Sequence, residues 1–318
     1  VDREKKNIQT FVASIDDVTR LRPHIKTHKS PEVSKFMQEA GINKFKCATI
    51  AEAEMLALVG AADVLLAYQP VGPKSRRLLE LIQKYPESKF SCLIDNKHTA
   101  EELSTLFTQD GRVIPVYIDL NVGMNRTGIA PEMALSLFHF CKTLKGVEVV
   151  GLHAYDGHIR DSDFATRKKR CDEAFAKIVS ARDEIQSDGN RNLVIIAGGS
   201  PTFSIHSKRK EIECSPGTFV YWDKGYEQVL PEQHYISAAI VVTRVISKPA
   251  ENVICIDLGH KAIASENSLQ QRVSFLNVGD VQPIGHSEEH MVLSVEDATN
   301  FQVGDILYGV PYHVCPTV

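Results

Sequence analysis

The sequence lacks long apolar runs and blocks of like charge. Its apolar runs are short, as at residues 238–242, whereas a membrane-spanning helix needs about 20 apolar residues in succession. Lysine and arginine total 36 against 40 aspartate and glutamate residues, which gives a formal net charge of -4. Because neither sign of charge is concentrated, nucleic acid and anionic membrane surfaces are not expected as partners.

Cysteine is sparse and shows no pairing pattern. The seven cysteines are odd in number and scattered, at positions 47, 92, 141, 171, 214, 255 and 315, and we see no signal peptide. This usage predicts free thiols in a reducing compartment, so we expect a cytoplasmic location. The chain begins with Val1 and stops at Val318 in a β-like run, and we expect the natural protein to extend beyond both ends.

The composition is that of a folded globular protein. Apolar residues make up 43% of the 318 positions and charged residues 24%, so a sizeable core can form. A prior of roughly 100 to 200 residues per domain suggests two domains, or one large barrel with an appendage. Disulfide-stapled miniature folds and disordered chains are therefore excluded.

Strand-like and helical runs alternate over the first two thirds of the chain. The eight predicted strands are 22–26, 44–47, 64–67, 89–94, 113–120, 147–153, 193–197 and 218–222. This alternation predicts an α/β fold, a (β/α)8 barrel of the TIM type over residues 1–231. After Pro231, short strand-like runs separated by turn residues predict a smaller all-β domain over residues 232–318.

A lysine follows the first predicted strand, at the barrel edge where such folds carry their chemistry. Lys26 would lie at the carboxyl end of that strand, and a desolvated amine there can attack a carbonyl to form a Schiff base. The alternative is a surface lysine in a basic loop with His28 and Lys29.

Two glycine-bearing turns lie next to the last two predicted strands. Gly198, Gly199 and Ser200 lead from a strand into a helix, where close backbone approach suits a phosphate group. An ordinary strand-to-helix turn is the alternative for this first turn. Gly217 and Thr218 lie in a second glycine-bearing loop, which immediately precedes the last predicted strand, and barrels often bind phosphate near their last two strands.

His313 and Cys315 are spaced two residues apart, which would place both side chains on one face of a strand. Imidazole and thiolate suit zinc, and two protein ligands leave positions open for water or substrate. A buried strand cysteine beside a turn histidine is the alternative. The run His286 to His290 matches HxxEH, but its flanks predict two strands joined by a turn and not a metalloprotease helix.

Several motifs in chain order resemble one enzyme family. They are 22–29 (RPHIKTHK), 47–54 (CATIAEAE), 121–128 (NVGMNRTG), 198–202 (GGSPT), 216–218 (PGT) and 313–318 (HVCPTV). Together they are similar to the D-threonine aldolase and D-serine dehydratase family of pyridoxal-phosphate enzymes, whose barrel is related to that of alanine racemase. The resemblance spans essentially the whole chain.

The resemblance implies a role for each candidate residue. Lys26, with Lys29 as the alternative, would form the Schiff base with pyridoxal 5'-phosphate, and Tyr155 would pack at the pyridine ring. Arg126 would reach the phenolic oxygen of the cofactor. The residues implied at the phosphate are Gly198, Gly199, Ser200, Gly217 and Thr218. His313 and Cys315 would bind a divalent metal, zinc or manganese.

The same resemblance implies a homodimeric lyase acting on D-β-hydroxy-α-amino acids. The His-x-Cys pair is similar to the dehydratase branch, which yields a keto acid and ammonia from substrates of the D-serine or D-3-hydroxyaspartate type. Typical aldolases of the family carry aspartate as the second ligand, and D-threonine aldolase activity is the alternative. An amino acid racemase and a non-enzymatic cofactor carrier are further alternatives.

Overall fold

The computed structural model describes residues 1–189 and 193–318. The chain divides into two units, residues 8–217 and residues 1–7 together with 218–318. The boundary that the sequence predicts between residues 231 and 232 stays a prediction. Over the two described ranges, no helix combines the length and the apolar character that crossing a bilayer requires.

The unit 8–217 is built on a parallel sheet of seven strands whose spatial order follows the chain. The strands are β1 (Lys44–Cys47), β2 (Asp63–Leu66), β3 (Lys89–Ile94), β4 (Ile114–Leu120), β5 (Val147–Ala154), β6 (Val194–Ala197) and β7 (Ile212–Cys214). Helix α1 (Asp2–Ala13) precedes the strands, and its residues from 8 onward belong to this unit. The helices that alternate with the strands are α2 (Pro31–Glu39), α3 (Ile50–Leu58), α4 (Pro73–Lys84), α5 (Lys97–Gln109), α6 (Ala134–Lys142), α7 (Phe164–Ser187) and α8 (Phe203–His206). The predicted α/β class and the alternation of strands and helices are confirmed.

Polar N-cap residues explain where four of the helices begin. The side chains of Ser30, Thr49, Asn96 and Asp163 accept hydrogen bonds from backbone N–H groups in the first turns of α2, α3, α5 and α7. Such caps satisfy donors that have no partner inside the helix. Pro31 at the start of α2 lacks an N–H in any case, and its fixed φ favours the helix.

Residues 21–24 connect the two outer strands of this sheet. The Arg22 N–H donates to Cys214 O (2.9 Å), and the Lys46 N–H donates to Pro23 O (2.9 Å). Leu21 and His24 make isolated parallel bridges to Cys214 and Lys46. The segment therefore runs between β7 and β1 and closes the sheet on itself. Leu65, Leu93, Tyr117 and Ile196 form a buried cluster contributed by four of its strands.

Two of the eight predicted strands are corrected by the structure. The run 22–26 makes only isolated bridges, and it turns into a 3-10 helix at Ile25–Thr27. The run 218–222 contains a 3-10 helix, Thr218–Val220, and the strand before it is the unpredicted β7. A run of five residues is compatible with either a strand or a helical turn. The three residues of β7 are too few to show the alternation of apolar and polar residues that marks a strand.

Arg22, in the closing segment 21–24, is buried and bonds to residues of β7 and β2. Its side chain is 1% exposed, and its Nε donates to Glu213 Oε2 of β7 at 2.6 Å. Its Nη1 and Nη2 donate to the two carboxylate oxygens of Asp63 in β2, at 2.6 and 3.1 Å. Burial lowers the pKa of the guanidinium, but the two carboxylates outweigh it and the net pKa is raised. Arg22 is therefore a permanent charge that joins the closing segment to β7 and to β2.

The second unit contains an antiparallel sheet of six strands, preceded by α9 (Lys224–Val229). Its strands are β8 (Val241–Ala250), β9 (Val253–Ile256), β10 (Val273–Phe275), β11 (Gln282–His286), β12 (Met291–Ser294) and β13 (Ile306–Pro311), in the spatial order β10, β13, β8, β9, β12, β11. Its core includes Ile254, Ile256, Met291, Leu293 and Leu307. The predicted all-β character is confirmed. β11 ends at His286 and β12 begins at Met291, so the HxxEH run is a hairpin turn, as the sequence predicts.

Candidate active site

Lys26 lies just past the closing segment, in the single 3-10 turn Ile25–Thr27. The side chain of His24 caps this turn, because its Nδ1 accepts from the Lys26 backbone N–H at 3.3 Å. The bridged part of the predicted strand therefore ends at His24, and Lys26 lies in the 3-10 turn that follows it. Lys26 is nevertheless at the carboxyl edge of the parallel sheet, and its side chain is partly buried.

A second lysine, which the sequence analysis missed, lies inside the sheet. Lys46 in β1 is 3% exposed, and its Nζ lies 3.4 Å from Nε2 of His153 in β5. Asp119 pairs with His153 in the register of β4 and β5, and its Oδ1 lies 2.7 Å from His153 Nδ1. Because a carboxylate only accepts, Nδ1 carries the proton, and Nε2 accepts from Lys46.

The Asp119 carboxylate also organises the loops at this edge. Thr127 Oγ1 and Gln69 Nε2 both donate to Asp119 Oδ2, at 2.9 and 3.0 Å. Gln69 Nε2 lies 3.1 Å from Asp95 Oδ2, which also accepts from the Gly128 N–H at 3.0 Å. These bonds hold the loop that carries Arg126 against the ends of three strands.

Burial decides the ionisation of this network. It lowers the pKa of Lys46 to about 7, and the neighbouring charge of Lys26 acts in the same direction. It also lowers the pKa of His153. Burial opposes ionisation of Asp119 as well, but the interactions with His153, Thr127 and Gln69 together outweigh it and the net pKa of Asp119 is lowered. Lys46 is therefore able to exchange a proton near neutral pH.

Replacing Lys46 by methionine is expected to stabilise the protein by about 1–3 kcal/mol at pH 7, because an amine buried beside Lys26 opposes folding. The native pKa of about 7 lies below the ordinary 10.5, so the unfolded state binds more protons between these pH values. Stability of the wild type therefore rises with pH in that window, and the advantage of the variant shrinks.

Urea unfolding at pH 7 and at pH 10 measures this effect. The control is Lys35→Met at an exposed position of α2, for which we expect the same small change at both pH values. A Lys46→Met advantage that is equal at pH 7 and pH 10 would contradict burial of the neutral amine.

Glycine turns follow β6 and β7 at the same edge. Gly198 has a φ of 83°, in the left-handed region that favours glycine. A Cβ on Gly217 would lie 2.6 Å from the backbone oxygen of His24, so a larger residue would displace the chain that leads into Lys26. Ser200 is buried in the 3-10 helix that follows the first turn. Backbone groups of the first turn, together with Gly217, thus lie at the edge that holds Lys26.

Tyr155 lies at the end of β5 and packs against glycines. A Cβ on Gly157 or Gly199 would lie 2.3 or 2.9 Å from atoms of the Tyr155 side chain, so its ring occupies the space that those glycines leave. The Arg126 guanidinium lies 5.0 Å from the centre of the ring, within the range of a cation–π contact. The structure therefore brings two of the predicted residues, Arg126 and Tyr155, into contact.

His313 and Cys315 lie in the other unit, beyond the end of β13 at Pro311. The prediction that both belong to one strand is therefore wrong. Cys315 raises the pKa of His313 to about 9 despite burial, and the Glu266 carboxylate, which bonds to His313 Nδ1, adds to this. Thr218, a predicted phosphate residue, belongs to this unit too, and its Oγ1 lies 3.5 Å from Cys315 Sγ. The pair is suited to a divalent metal by its donor atoms.

A different group of potential metal ligands lies behind the first glycine turn. Asp156, Cys171 and His206 are buried, and their donor atoms lie within 4.8 Å of one another. No local pattern in the sequence marks this group. Lys46, Asp119 and His153 do carry a signal, because each is a polar residue between apolar neighbours in a strand.

Comparison with known proteins supports a single family. Residues 1–224 match the alanine racemase, N-terminal domain family, and residues 238–318 match the family described as "Putative serine dehydratase domain". A D-threonine aldolase from Arthrobacter sp. is 27% identical, over 93% of this chain and 79% of the relative. A D-threo-3-hydroxyaspartate dehydratase from Delftia sp. (strain HT23) is 22% identical, over 100% of this chain and 89% of the relative.

A solved structure shows the same architecture. The crystal structure of D-threonine aldolase from Filomicrobium marinum superimposes with a TM-score of 0.90 at 26% identity, and the match covers 99% of this chain and 86% of that one. The first family match covers the parallel-sheet part of the chain and the second covers the antiparallel sheet. Both agree with the motifs found near the two ends of the sequence. The chain therefore belongs to the alanine racemase N-terminal domain family, in the branch of D-threonine aldolases and D-serine dehydratases.

Proposed function

We propose that this chain is a pyridoxal-phosphate-dependent lyase that requires a divalent metal and dehydrates D-β-hydroxy-α-amino acids. The substrate would be of the D-serine or D-3-hydroxyaspartate type, and the products a keto acid and ammonia. The observation that carries the proposal is the position of Lys26, which lies at the carboxyl edge of a parallel sheet of the alanine racemase type, where two glycine turns also lie.

The residues at this edge fit the cofactor. Lys26 supplies the amine that would bind its aldehyde, and the Tyr155 ring and the Arg126 guanidinium present a flat surface and a charge. The groups that would hold its phosphate are Gly198, Gly199, Ser200, Gly217 and Thr218. Bound pyridoxal phosphate supplies an electron sink that stabilises negative charge developing at the substrate Cα.

The side chains of this protein would move the proton at the substrate Cα and orient the cofactor. The Lys26 amine, once displaced by the substrate amine, is the group that would take the proton from Cα. Arg126, whose guanidinium lies over the Tyr155 ring, would reach the phenolic oxygen of the cofactor. The network of Lys46, His153 and Asp119 keeps a buried, exchangeable proton within electrostatic reach of Lys26.

His313 and Cys315 would hold the metal. Imidazole nitrogen and thiolate sulfur favour zinc, and manganese is the alternative ion. Such an ion acts as a Lewis acid that stabilises a departing hydroxyl oxygen. The His-x-Cys pair favours dehydration. Retro-aldol cleavage to glycine and an aldehyde is the second candidate, because the relative with 27% identity is a D-threonine aldolase. An amino acid racemase is a weaker third candidate.

We also propose that the protein is a homodimer located in the cytoplasm. The family resemblance supports the dimer, and seven free cysteines, five of them buried, are compatible with a reducing compartment.

A substrate panel tests the proposed reaction. The protein, supplied with pyridoxal phosphate and zinc, would be incubated with D-serine, D-threonine, D-3-hydroxyaspartate and their L-enantiomers, and ammonia and glycine would be measured separately. We expect ammonia from a D-enantiomer, and a loss of about 100-fold or more after chelation or in His313→Ala. Glycine with an aldehyde would establish the aldolase instead. Interconversion of D- and L-alanine that resists chelation would overturn the lyase assignment.

A further inference from the structure

A buried polar cluster lies behind the first glycine turn, and the proposed function assigns it no role. Its members are Asp156, Cys171, Thr202, His206 and Arg209. All of these residues but Arg209 are at most 4% exposed. Ionisable groups are rarely buried in this way unless each is hydrogen-bonded, so the partners of each group define what the cluster does.

The directions of the hydrogen bonds follow from the chemistry of the donors. Arg209 Nη1 donates to His206 Nδ1, because a guanidinium has no acceptor. His206 therefore carries its proton on Nε2, which lies 2.9 Å from Asp156 Oδ2 and donates to it. Burial opposes ionisation of Asp156, but the bonds from His206 and Thr202 outweigh it, so the net pKa is lowered. The centre of the cluster is an ionised carboxylate.

The same arrangement disfavours a metal at this place. A metal bound by Asp156, Cys171 and His206 would need the lone pair on Nε2 of His206. Because Nδ1 accepts the bond from Arg209, Nε2 carries the proton and has no lone pair to offer. The guanidinium also lies 3.5 Å from Cys171 Sγ, where its positive charge opposes a cation. Burial moreover raises the pKa of the Cys171 thiol to about 12, so the thiolate that a metal prefers is not formed.

Asp156 is tied directly to the glycine turn. Its Oδ1 accepts from Thr202 Oγ1 at 2.8 Å, and that hydroxyl oxygen accepts from the Gly199 backbone N–H at 3.3 Å. His206 packs against the other side of the turn, since a Cβ on Gly198 would lie 2.6 Å from His206 Cδ2. The Asp156 carboxylate thus holds Thr202, whose hydroxyl accepts from the Gly199 N–H, and it also holds His206, which packs against Gly198.

We propose that Asp156 is a positioning residue that holds the turn of residues 198–202 in the geometry that binds the phosphate group of the cofactor. This inference rests on the proposed function, since it assumes that the ligand is pyridoxal phosphate. Asp156 acts through Thr202 and His206, and it does not itself touch the phosphate. Its loss therefore weakens recognition of the phosphate and leaves binding of the aldehyde to Lys26 intact.

The test compares two ligands that differ only in the phosphate. Dissociation constants of the cofactor-free protein for pyridoxal phosphate and for pyridoxal would be measured by absorbance titration. In Asp156→Asn we expect affinity for pyridoxal phosphate to fall about 10- to 100-fold, because a hydrogen bond to a charged group is lost. Affinity for pyridoxal should change less than about threefold.

Three further variants keep the result interpretable if Asp156→Asn folds poorly. Thr202→Val removes the hydroxyl between Asp156 and the Gly199 N–H, and it should show the same selective loss. Thr202→Ser keeps a hydroxyl and should restore the preference for the phosphate ligand. Cys171→Ala is the matched control, because Cys171 lies in the cluster without a bond to the turn, and the preference should be unchanged.

The outcomes separate this inference from the proposed function. A wild type that binds neither ligand would refute the proposed function and this inference with it. A wild type that prefers pyridoxal phosphate, with the same preference in Asp156→Asn and Thr202→Val, would overturn the inference alone. A metal ion that co-purifies with the wild type and is lost in Cys171→Ala would overturn it too.

Discussion

Replacing Arg22 by methionine is expected to lower the free energy of unfolding by about 2–4 kcal/mol, because a buried guanidinium that pairs with two carboxylates is lost. The side chain is 1% exposed, and it makes three hydrogen bonds to Asp63 and Glu213. Lys44 remains beside Glu213, so the loss falls mainly on Asp63 and on the junction between β2, β7 and the closing segment.

Urea unfolding of the whole chain measures this loss. The matched control is Lys84→Met, which breaks an ion pair with Glu54 on the surface, where the lysine side chain is 62% exposed. Exposed pairs contribute about 1 kcal/mol or less, so the control should change little. Arg22→Lys keeps the charge but not the bidentate geometry, and it should be intermediate. Equal effects of Arg22→Met and Lys84→Met would refute the structural role of Arg22.

Replacing Lys26 by alanine is expected to reduce lyase activity by about 1000-fold or more, because both the covalent attachment of the cofactor and the group that moves the Cα proton are lost. The visible absorbance of lysine-bound pyridoxal phosphate should vanish with it. The variant is otherwise expected to fold, since Lys26 is partly exposed and lies in a short turn.

Lys29→Ala is the matched control for this experiment. Lys29 is the alternative Schiff-base lysine of the same motif; it is exposed and has a φ of 47°. We expect near wild-type activity and absorbance from Lys29→Ala. If the Lys26→Ala protein were active and coloured and the Lys29→Ala protein were inactive, Lys29 and not Lys26 would be the lysine that forms the Schiff base.

Much of the fold could be predicted because its signals are local. The strands β2 and β3 are short, almost entirely buried apolar runs, and the helices that follow begin at capping residues or proline. A three-residue strand such as β7 has no period to detect, and it was missed for that reason. The run 218–222 has the composition of a strand, but Trp222 adopts a φ of 45°, which no strand residue has.

The candidate site was only partly predictable, for a physical reason. Lys26 ends a predicted strand, and Tyr155 and the first glycine turn follow predicted strands, so the rule that chemistry gathers at the carboxyl ends of strands selects them. Lys46 and Asp119 lie within strands, and their pairing with His153 depends on the register of β4 with β5 and on closure of the sheet. The Asp156 cluster likewise joins residues up to 53 positions apart, from Asp156 to Arg209, which no local pattern reveals.

The position of the cofactor on the chain tests the central claim most directly. Borohydride reduction of the protein loaded with pyridoxal phosphate fixes the cofactor to its lysine, and mass spectrometry of the peptides identifies that residue. The account predicts a single modified lysine, Lys26, and no such peptide from Lys26→Ala. Modification of Lys29 or Lys46, or of several surface lysines without preference, would contradict it.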